Sequence, residues 1–279
     1  MISIIICSRG KDIPQNQKDN LESTIGFPHE FVIIDNSDNR YNIFTAYNEG
    51  VARAQGEILC FLHDDVLMHT PGWGEIIARQ LADPTIGLIG IAGSHYMSSY
   101  PLYWWNMPFT SQYNLTNDHG QQKLDSHGHY YHDDLADVAV VDGVCIFALR
   151  EFFEQIRFDD TSYNGFHAYD MDISLQALAC GKRVCATRAI LIEHFWSEQS
   201  FENKKYMAML NRNIKLFSDK WSSHLPVMRG LDMNQDEIDN LDQLCGQAYD
   251  AQCARSSKPY RLGRLLLLPV KKIKGLFAR

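Results

Sequence analysis

Apolar runs of strand length alternate with segments of helical spacing in the first third of the chain. Four nearly continuous runs are of the kind found in strands buried on both faces of a parallel sheet: residues 2–7, 31–34, 57–62 and 86–92. Residues 41–55 and 73–81 have helical spacing, and the first of these segments stops at Gly56. The alternation predicts an α/β fold with a Rossmann-like, mostly parallel sheet that is flanked by helices.

The segment 94–136 has a different character, because aromatic residues and histidines are frequent there and no regular period is visible. We expect it to be a long functional loop or a small subdomain. Regular structure resumes with a strand over 138–149, which is interrupted at Asp142-Gly143. Four further stretches are predicted from spacing: a helix over 170–180, short strands over 184–194, and surface helices over 201–221 and 235–250.

Charge is divided unevenly along the 279 residues. The formal net charge of −8 argues against a general nucleic-acid-binding protein, since such a protein needs a cationic face. Eight of the 26 Lys and Arg residues, and no Asp or Glu, lie from residue 255 onward, so residues 1–254 keep 18 basic against 34 acidic residues, a formal charge of −16. We therefore expect a sheet domain over 1–220 and a helical C-terminal extension over 221–279 with a basic, amphipathic tail.

The tail over 258–279 pairs basic with apolar residues, which fits a peripheral anchor on anionic lipid. It fits equally a C-terminal helix docked on the acidic body. The seven cysteines are odd in number and form no CxxC pair, so we expect free thiols in a reducing compartment. The amino terminus has a strand pattern and not that of a secretory signal, so the expected location is the cytoplasm, at the inner face of the membrane if the tail binds lipid.

Two adjacent carboxylates, Asp64 and Asp65, directly follow the strand predicted over 57–62. An isolated acidic pair would fit a solvated turn, but carboxylates at the end of a buried strand suit Mg²⁺ or Mn²⁺ held against substrate phosphates. His194 follows a later strand and is a candidate additional ligand, with a packed core histidine as the alternative. The histidines between 95 and 132 lack HxxxH or CxxC spacing, which argues against structural zinc.

Other carboxylates allow both a structural and a chemical interpretation. Asp35 at a strand end can contact a base or ribose, or close an Asx turn with Ser37. Asp170 and Asp172 open a helix, where acidic residues are common for capping reasons and where a general base is the alternative. Aromatic side chains of the 94–136 segment can stack on sugar faces or form a satellite core.

In order along the chain, these segments resemble the family 2 glycosyltransferases of the GT-A fold. SIIICSRG and VIIDNSDN resemble the family's opening strand and base-contacting segment, and YNEGVARAQGEILCFLHDDV is similar to the stretch that contains its DXD motif. VDGVCIFALREFFEQIRFDD resembles the acceptor-side segment, and YDMDISLQALACGKRV resembles the motif that begins with Glu-Asp. The resemblance covers roughly residues 1–197 and is greatest for the branch related to a streptomycin-biosynthesis protein.

The resemblance implies an inverting, hexosyltransferase-type enzyme that moves a sugar from a nucleotide-diphosphate donor, most often a UDP-sugar, to a carbohydrate or lipid-linked glycan. It implies a cofactor, Mn²⁺ or Mg²⁺, bound by Asp65, Asp64 and His194. It places the general base on Asp170, with Asp172 beside it. The implied nucleotide-sugar contacts are Ser8, Arg9, Asp35, Asn48 and Asp64. Asp142 and Gly143 of the acceptor-side segment are the candidate acceptor contacts, together with Trp104 and Trp105, whose rings could stack on sugar faces, and 94–136 is the expected acceptor-side insertion.

Two positions depart from the family pattern: His63 replaces the first Asp of the metal motif, and Tyr169 replaces the Glu before Asp170. Tyr169 makes a catalytically inactive nucleotide-sugar-binding module of the same fold the main alternative function. A nucleotidyltransferase is disfavoured because the first loop lacks a glycine-rich run. A dinucleotide-dependent oxidoreductase is disfavoured because no GxGxxG follows the first strand.

Overall fold

A computed structural model describes residues 1–195 and 203–256. The chain forms two compact units, the first comprising Met1–Met233 and the second beginning at Asn234. The first unit therefore extends beyond residue 220, the boundary expected from the sequence. The tail over 258–279 lies outside the described residues.

Fifteen strands and six α-helices are present in the described residues. The strands are β1 Ile2–Ser8, β2 His29–Asp35, β3 Ile58–Leu62, β4 Val66–Met68, β5 Ile86–Gly90, β6 Ala92–Ser94, β7 Tyr96–Met97, β8 Thr110–Asp118, β9 Gln121–His127, β10 Leu135–Asp137, β11 Val140–Val141, β12 Cys145–Leu149, β13 Arg183–Thr187, β14 Ile192–Phe195 and β15 Val227–Met228. The helices are α1 Gln15–Thr24, α2 Ile43–Arg53, α3 Trp73–Gln80, α4 Tyr169–Ala179, α5 Lys204–Lys220 and α6 Gln235–Ser256.

The central sheet has seven strands in the order β10-β13-β5-β12-β3-β1-β2. β1 pairs in parallel with β2 and β3, and β13 pairs in parallel with β5. β12 lies antiparallel between β3 and β5, and β10 is antiparallel to β13. Five of the seven strands consequently run in one direction, and the expected mostly parallel sheet is confirmed.

The antiparallel strand β12 has a direct consequence for the location of the site. Cys145 at its start is paired with Leu62 at the end of β3. The turn that contains Asp142 and Gly143 therefore lies at the carboxyl ends of β1 and β3. In open α/β sheets ligands bind at the carboxyl ends of the strands.

A second sheet packs beside the first and has the order β11-β6-β8-β14-β4, with β9 paired to β8. Its β8–β9 hairpin lies inside the segment 94–136, which the sequence presented as an irregular loop. The hairpin was missed because many of its side chains are partly or fully exposed, so it has no apolar run. Helix α1 was missed for a similar reason, since only Gln17 and Leu21 of its ten residues are buried.

The core consists of the strand residues predicted to be buried, including Ile4, Ile6 and Cys60, which have no solvent exposure. None of the seven cysteines, all of which lie in the described residues, forms a disulfide bond. Within the described part of the chain, no helix combines the length and the apolar character needed to cross a membrane.

Helix α2 packs so closely on β1 that Gly50 has no room for a side chain. A Cβ at this position would lie 2.3 Å from Cγ2 of Ile5. Gly50→Ala is therefore expected to lower the free energy of unfolding by about 1–3 kcal/mol, measured as a shift of the urea midpoint. In an Ile5→Ala background the same change should stabilise by roughly 0.5–1 kcal/mol, because alanine is the better helix former. Equal effects in both backgrounds would contradict this packing account.

Candidate functional site

A cleft of about 1710 Å³ opens at the edge where β1 and β3 end. One wall carries Asp64 and Asp65, and the same cleft is lined by Asp142 and Asp170. The β8–β9 hairpin contributes a further wall, through side chains such as Asn114. Carboxylates that are more than 100 positions apart in the sequence therefore share one solvent-accessible space.

Arg9 and Asp64 form a bidentate ion pair at the mouth of this cleft. The Arg9 Nε donates to Asp64 Oδ2 at 3.0 Å and Nη2 donates to Oδ1 at 2.6 Å, while the Arg9 backbone N–H also donates to Oδ2. The same Nη2 lies 3.3 Å from Oδ2 of Asp65. Both oxygens of Asp64 are thus engaged by Arg9, in contrast to the metal-ligand role predicted for this residue.

Three side chains instead form a cluster suited to a metal ion: His63, Asp65 and His194. One ligand atom of each lies within 4.8 Å of the others. His194 is placed there by β14, whose pairing sets it opposite Val66 of β4. The cluster therefore includes two of the predicted ligands, Asp65 and His194, and replaces Asp64 by His63.

The electrostatics of the cluster fit a cation. Oδ1 of Asp65 is buried, lies 3.3 Å from Nε2 of His194 and makes no hydrogen bond within the described chain. Burial opposes ionisation of Asp65, but the nearby His194 and His63 hold its pKa below the ordinary value. Burial and the proximity of His194 lower the pKa of His63 to about 4, so this imidazole is neutral at physiological pH. A neutral imidazole and an ionised carboxylate are the forms that bind metals.

Asp170 lies at the start of α4, where the chain turns through two residues of positive φ, His167 (130°) and Ala168 (68°). Its Oδ2 accepts the backbone N–H of Gly143 at 3.1 Å, and its Oδ1 accepts the N–H of Met171. Burial, together with the nearby carboxylate of Asp142, raises the pKa of Asp170 to about 7. Asp170 therefore has the proton affinity required of a general base near neutral pH.

Tyr169 and His63, the two departures from the family pattern, contact each other. The Tyr169 hydroxyl lies 2.7 Å from Nε2 of His63. It occupies the space beside Gly143, where an added Cβ would be 2.1 Å from this hydroxyl oxygen. Position 143 therefore admits only glycine while Tyr169 is present.

A cluster of aromatic residues lines another part of the cleft. Trp105 is 42% exposed, and its ring stacks on Tyr103 with centroids 4.4 Å apart. Three nearly buried groups that line the cleft have no hydrogen-bond partner in the described chain: the Tyr103 hydroxyl, the Trp104 Nε1 and the Asn114 Oδ1. These groups are one hydroxyl, one indole donor and one amide acceptor, each without a hydrogen-bond partner in the described chain. Sequence patterns do not single out Asn114, or Tyr103 from the other aromatic residues of 94–136, because their importance depends on burial.

The hairpin is held against β14 by a buried carboxylate. Glu193 accepts hydrogen bonds from His69, Asn117 and Gln122, each at 2.8 Å. Burial opposes ionisation of Glu193, but these donors bring its pKa below the ordinary value. The wall formed by the hairpin is consequently fixed next to His194, the neighbour of Glu193 in β14.

Five predicted site residues do not line the cleft in the described part of the chain: Ser8, Asp35, Asn48, Gly143 and Asp172. Ser8 closes the turn to Asp12, and Asp35 forms the Asx turn with Ser37. Asn48 binds the backbone of Phe158 through both amide atoms. These three side chains therefore shape the loops around the cleft.

Asp172, the second predicted catalytic carboxylate, has a structural environment. It is 1% exposed and accepts hydrogen bonds from Trp221 Nε1 at 2.7 Å and Tyr163 at 3.1 Å. Lys220 forms an ion pair with it at 2.8 Å. Asp172 thus connects α4 to the end of α5 and is positioned to stabilise the fold, not to accept a substrate proton.

The sheet order, the second sheet and the cleft at the strand ends are those of the GT-A fold. The chain belongs to the glycosyltransferase-like family, whose model matches residues 3–221. This confirms the family and the fold that the sequence motifs indicated.

Two known proteins illustrate the similarity. The chain is 33% identical to the streptomycin biosynthesis protein StrF of Streptomyces griseus over 152 residues, which are 52% of this chain and 50% of StrF. It therefore spans about half the length of this curated relative. A crystal structure of GalNAc-T7 with UDP, GalNAc and Mn²⁺ superposes with a TM-score of 0.53 at 12% identity, covering 90% of this chain and 54% of GalNAc-T7. At that identity the likeness establishes the fold alone.

The raised pKa of Asp170 predicts a specific pH dependence of stability. The native state retains the Asp170 proton up to about pH 7, whereas in the unfolded chain this carboxyl has the ordinary pKa of 3.8. The native state binds more protons between these values, so this group makes the free energy of unfolding fall as pH rises from about 4 to 7.

In Asp170→Asn this contribution is absent, since the amide does not titrate but can still accept from Gly143. We expect the variant to gain stability relative to the wild type between pH 5 and pH 8, measured by urea unfolding at each pH. Parallel pH profiles of the two proteins would show that Asp170 ionises normally.

Proposed function

We propose that this protein is a divalent-metal-dependent, inverting glycosyltransferase that moves a sugar from a nucleotide-diphosphate donor to a hydroxyl of a carbohydrate or lipid-linked glycan. The observation that carries the proposal is the shared cleft, in which the His63, Asp65 and His194 cluster lies with Asp170. The cluster suits a cation beside a diphosphate, and Asp170 suits proton abstraction. Family membership supports the same reaction class.

The donor occupies the half of the cleft formed by the ends of β1 and β3 in this proposal. Its lining includes Arg9, Asn36 and Tyr41. Small-ligand sites commonly have volumes of roughly 300–1000 Å³, so the cleft has room for a nucleotide sugar and an acceptor together. A UDP-sugar is the donor we propose, and UDP is the nucleotide in the GalNAc-T7 structure of similar fold.

Asp65 and His194 are the predicted ligands that would hold Mn²⁺ or Mg²⁺. Mn²⁺ accompanies UDP in the GalNAc-T7 structure, which supports a divalent cofactor. When bound, such an ion neutralises the charge that develops on the departing nucleotide diphosphate. Arg9, held at the mouth of the cleft by Asp64, adds a positive charge on the same side.

Asp170 acts as the general base in the proposed mechanism. It accepts the proton of the acceptor hydroxyl as that oxygen forms a bond to the anomeric carbon of the sugar. The bond from this carbon to the diphosphate oxygen breaks in the same displacement, so the configuration is inverted. The N–H groups of Gly143 and Met171 orient the carboxylate. The sugar that is transferred is a hexose in this proposal.

The acceptor is proposed to bind between Asp142 and the aromatic cluster of Trp104 and Trp105. Sugars combine apolar C–H faces with hydroxyl groups that both donate and accept hydrogen bonds. The exposed Trp105 ring suits the former, and the unpartnered Trp104 Nε1 and Asn114 Oδ1 suit the latter. The hairpin wall would limit access of water, which would otherwise hydrolyse the donor.

The Asp170→Asn variant tests the proposed reaction. Removing a general base typically costs 10²–10⁴-fold, so we expect turnover to fall by at least about 100-fold while UDP binding with Mn²⁺ persists. A panel of nucleotide sugars, screened by metal-dependent thermal stabilisation, selects the donor. Nucleotide release then measures turnover and calorimetry measures binding.

The matched control is Asp83→Asn, the same chemical change at an exposed carboxylate paired with Arg183, remote from the cleft. It should retain wild-type turnover. Wild-type turnover in Asp170→Asn would refute the base assignment. Donor binding with no turnover in the wild type, across the panel and with a range of sugar acceptors, would favour an inactive nucleotide-sugar-binding module.

A peripheral membrane contact through residues 258–279 is a separate proposal, which is based on the basic and apolar residues of the tail. We expect the full chain to sediment with anionic vesicles at low salt and to be released at high salt. A chain shortened by residues 258–279 should stay in the supernatant under both conditions. Sedimentation that is independent of the tail would exclude this anchor and, with it, the reason for placing the protein at the inner membrane face.

A further inference from the structure

We infer that His63 is a metal ligand and that Tyr169 orients it, giving a site of two imidazoles and one carboxylate that prefers a divalent transition metal to Mg²⁺ and binds it without nucleotide. This inference deepens the proposed metal-dependent transfer and rests on it for its biological role. The metal binding itself is independent of any sugar donor.

The spacing of Asp65 and His194 suits a shared ion. Their Oδ1 and Nε2 atoms are 3.3 Å apart, and ligand atoms at bond lengths of roughly 2.1 Å stand about 3.4 Å apart in a tetrahedral site. Arg9 occupies Oδ2 of Asp65, whereas the buried Oδ1 makes no hydrogen bond in the described chain. The oxygen that faces the imidazole is therefore the one available to a cation.

The third member of the cluster is His63, which lines the same cleft. Its Nε2 is bound to the Tyr169 hydroxyl at 2.7 Å. When Nε2 carries the proton and donates it to this hydroxyl, Nδ1 bears the lone pair needed by a metal. Ligating histidines usually donate their other N–H in this way, and such an outer hydrogen bond fixes both the tautomer and the ring orientation.

Tyr169 can perform this task because its position is fixed. Its phenol packs against Phe44 and Tyr47 and lies over Gly143, where even one methyl group would collide with it. Phe166 packs against both rings, with its centroid 5.5 Å from that of His63 and 5.7 Å from that of Tyr169. His63 and Tyr169, the two departures from the family pattern, are therefore linked by one hydrogen bond. Together they place an imidazole at the position where the family pattern has a carboxylate.

The chemistry of this donor set determines the selectivity. Mg²⁺ favours oxygen ligands and usually depends on one or two carboxylates together with substrate phosphates. Imidazole favours first-row transition metals, whose affinities rise from Mn²⁺ to a maximum at Cu²⁺, with Zn²⁺ also bound more tightly than Mn²⁺. Three protein ligands also allow an ion to bind before a diphosphate supplies oxygen atoms.

The test uses the full chain, stripped of metal with EDTA and titrated with Mn²⁺ alone. Electron paramagnetic resonance reports free Mn²⁺, and ¹⁴N modulation of the bound signal reports coordinated imidazoles. We expect one Mn²⁺ per chain without nucleotide, two imidazole nitrogens, displacement by Zn²⁺ and no displacement by a 100-fold excess of Mg²⁺.

Three variants separate the roles of the residues. His63→Asp should lose one of the two nitrogens and become sensitive to Mg²⁺. Tyr169→Phe should keep both nitrogens and bind Mn²⁺ roughly 10–100-fold more weakly, because only the supporting hydrogen bond is lost. His167→Asn is the matched control, since this histidine lines the same cleft outside the cluster and asparagine keeps a polar side chain there. It should bind as the wild type does, and thermal unfolding confirms that each variant is folded.

Failure of this inference differs from failure of the proposed function. A single imidazole nitrogen in the wild type, or Mn²⁺ binding only after UDP is added, would overturn the ligand role of His63 and leave the transfer reaction intact. Two nitrogens without sugar transfer to any acceptor would retain the metal site and remove the proposed function. Equal Mn²⁺ affinities of Tyr169→Phe and wild type would refute the orienting role of Tyr169.

Discussion

The contact between Tyr169 and Gly143 is the constraint on which the cleft depends. Because the phenol fills the volume beside position 143, the turn before β12 and the first turn of α4 are held at one distance. At that distance the Gly143 N–H reaches Asp170, and the Tyr169 hydroxyl reaches His63. A single packing contact therefore sets both the proposed base and the proposed metal site.

The cleft brings several carboxylates together in a protein whose body is already acidic. These carboxylates differ in the groups that surround them. Asp64 is paired with Arg9, and Asp65 lies beside two imidazoles. Within the described residues no cation is paired with Asp170 or Asp142, and burial raises the pKa of both. One side of the cleft therefore has Asp65, whose pKa is lowered, and the other has Asp170, which is able to hold a proton near neutral pH. This arrangement suits the proposed reaction, in which a cation stabilises the leaving diphosphate and a carboxylate accepts the proton of the attacking hydroxyl.

The predicted site residues divide into those that line the cleft and those that hold the surrounding structure. Asp65 and Asp170, which belong to motifs, line the cleft, as do Trp104 and Trp105 of the aromatic segment. Asn48 and Asp172 belong to the same motifs, but Asn48 binds the backbone of Phe158 and Asp172 accepts a buried hydrogen bond from Trp221. A motif cannot distinguish a carboxylate that binds substrate from one that connects two helices, since both are acidic residues in the same stretch of sequence.

The sequence by itself determined the α/β class, the central strands and the family, because these depend on apolar periodicity and on locally spaced motifs. Only the tertiary structure revealed the β8–β9 hairpin, the replacement of Asp64 by His63 in the metal cluster, and the pairing of His63 with Tyr169. Each of these depends on contacts between residues that are distant in the chain, such as positions 63 and 169. The antiparallel entry of β12 brings them together, and strand direction within a sheet is decided by packing across the whole domain.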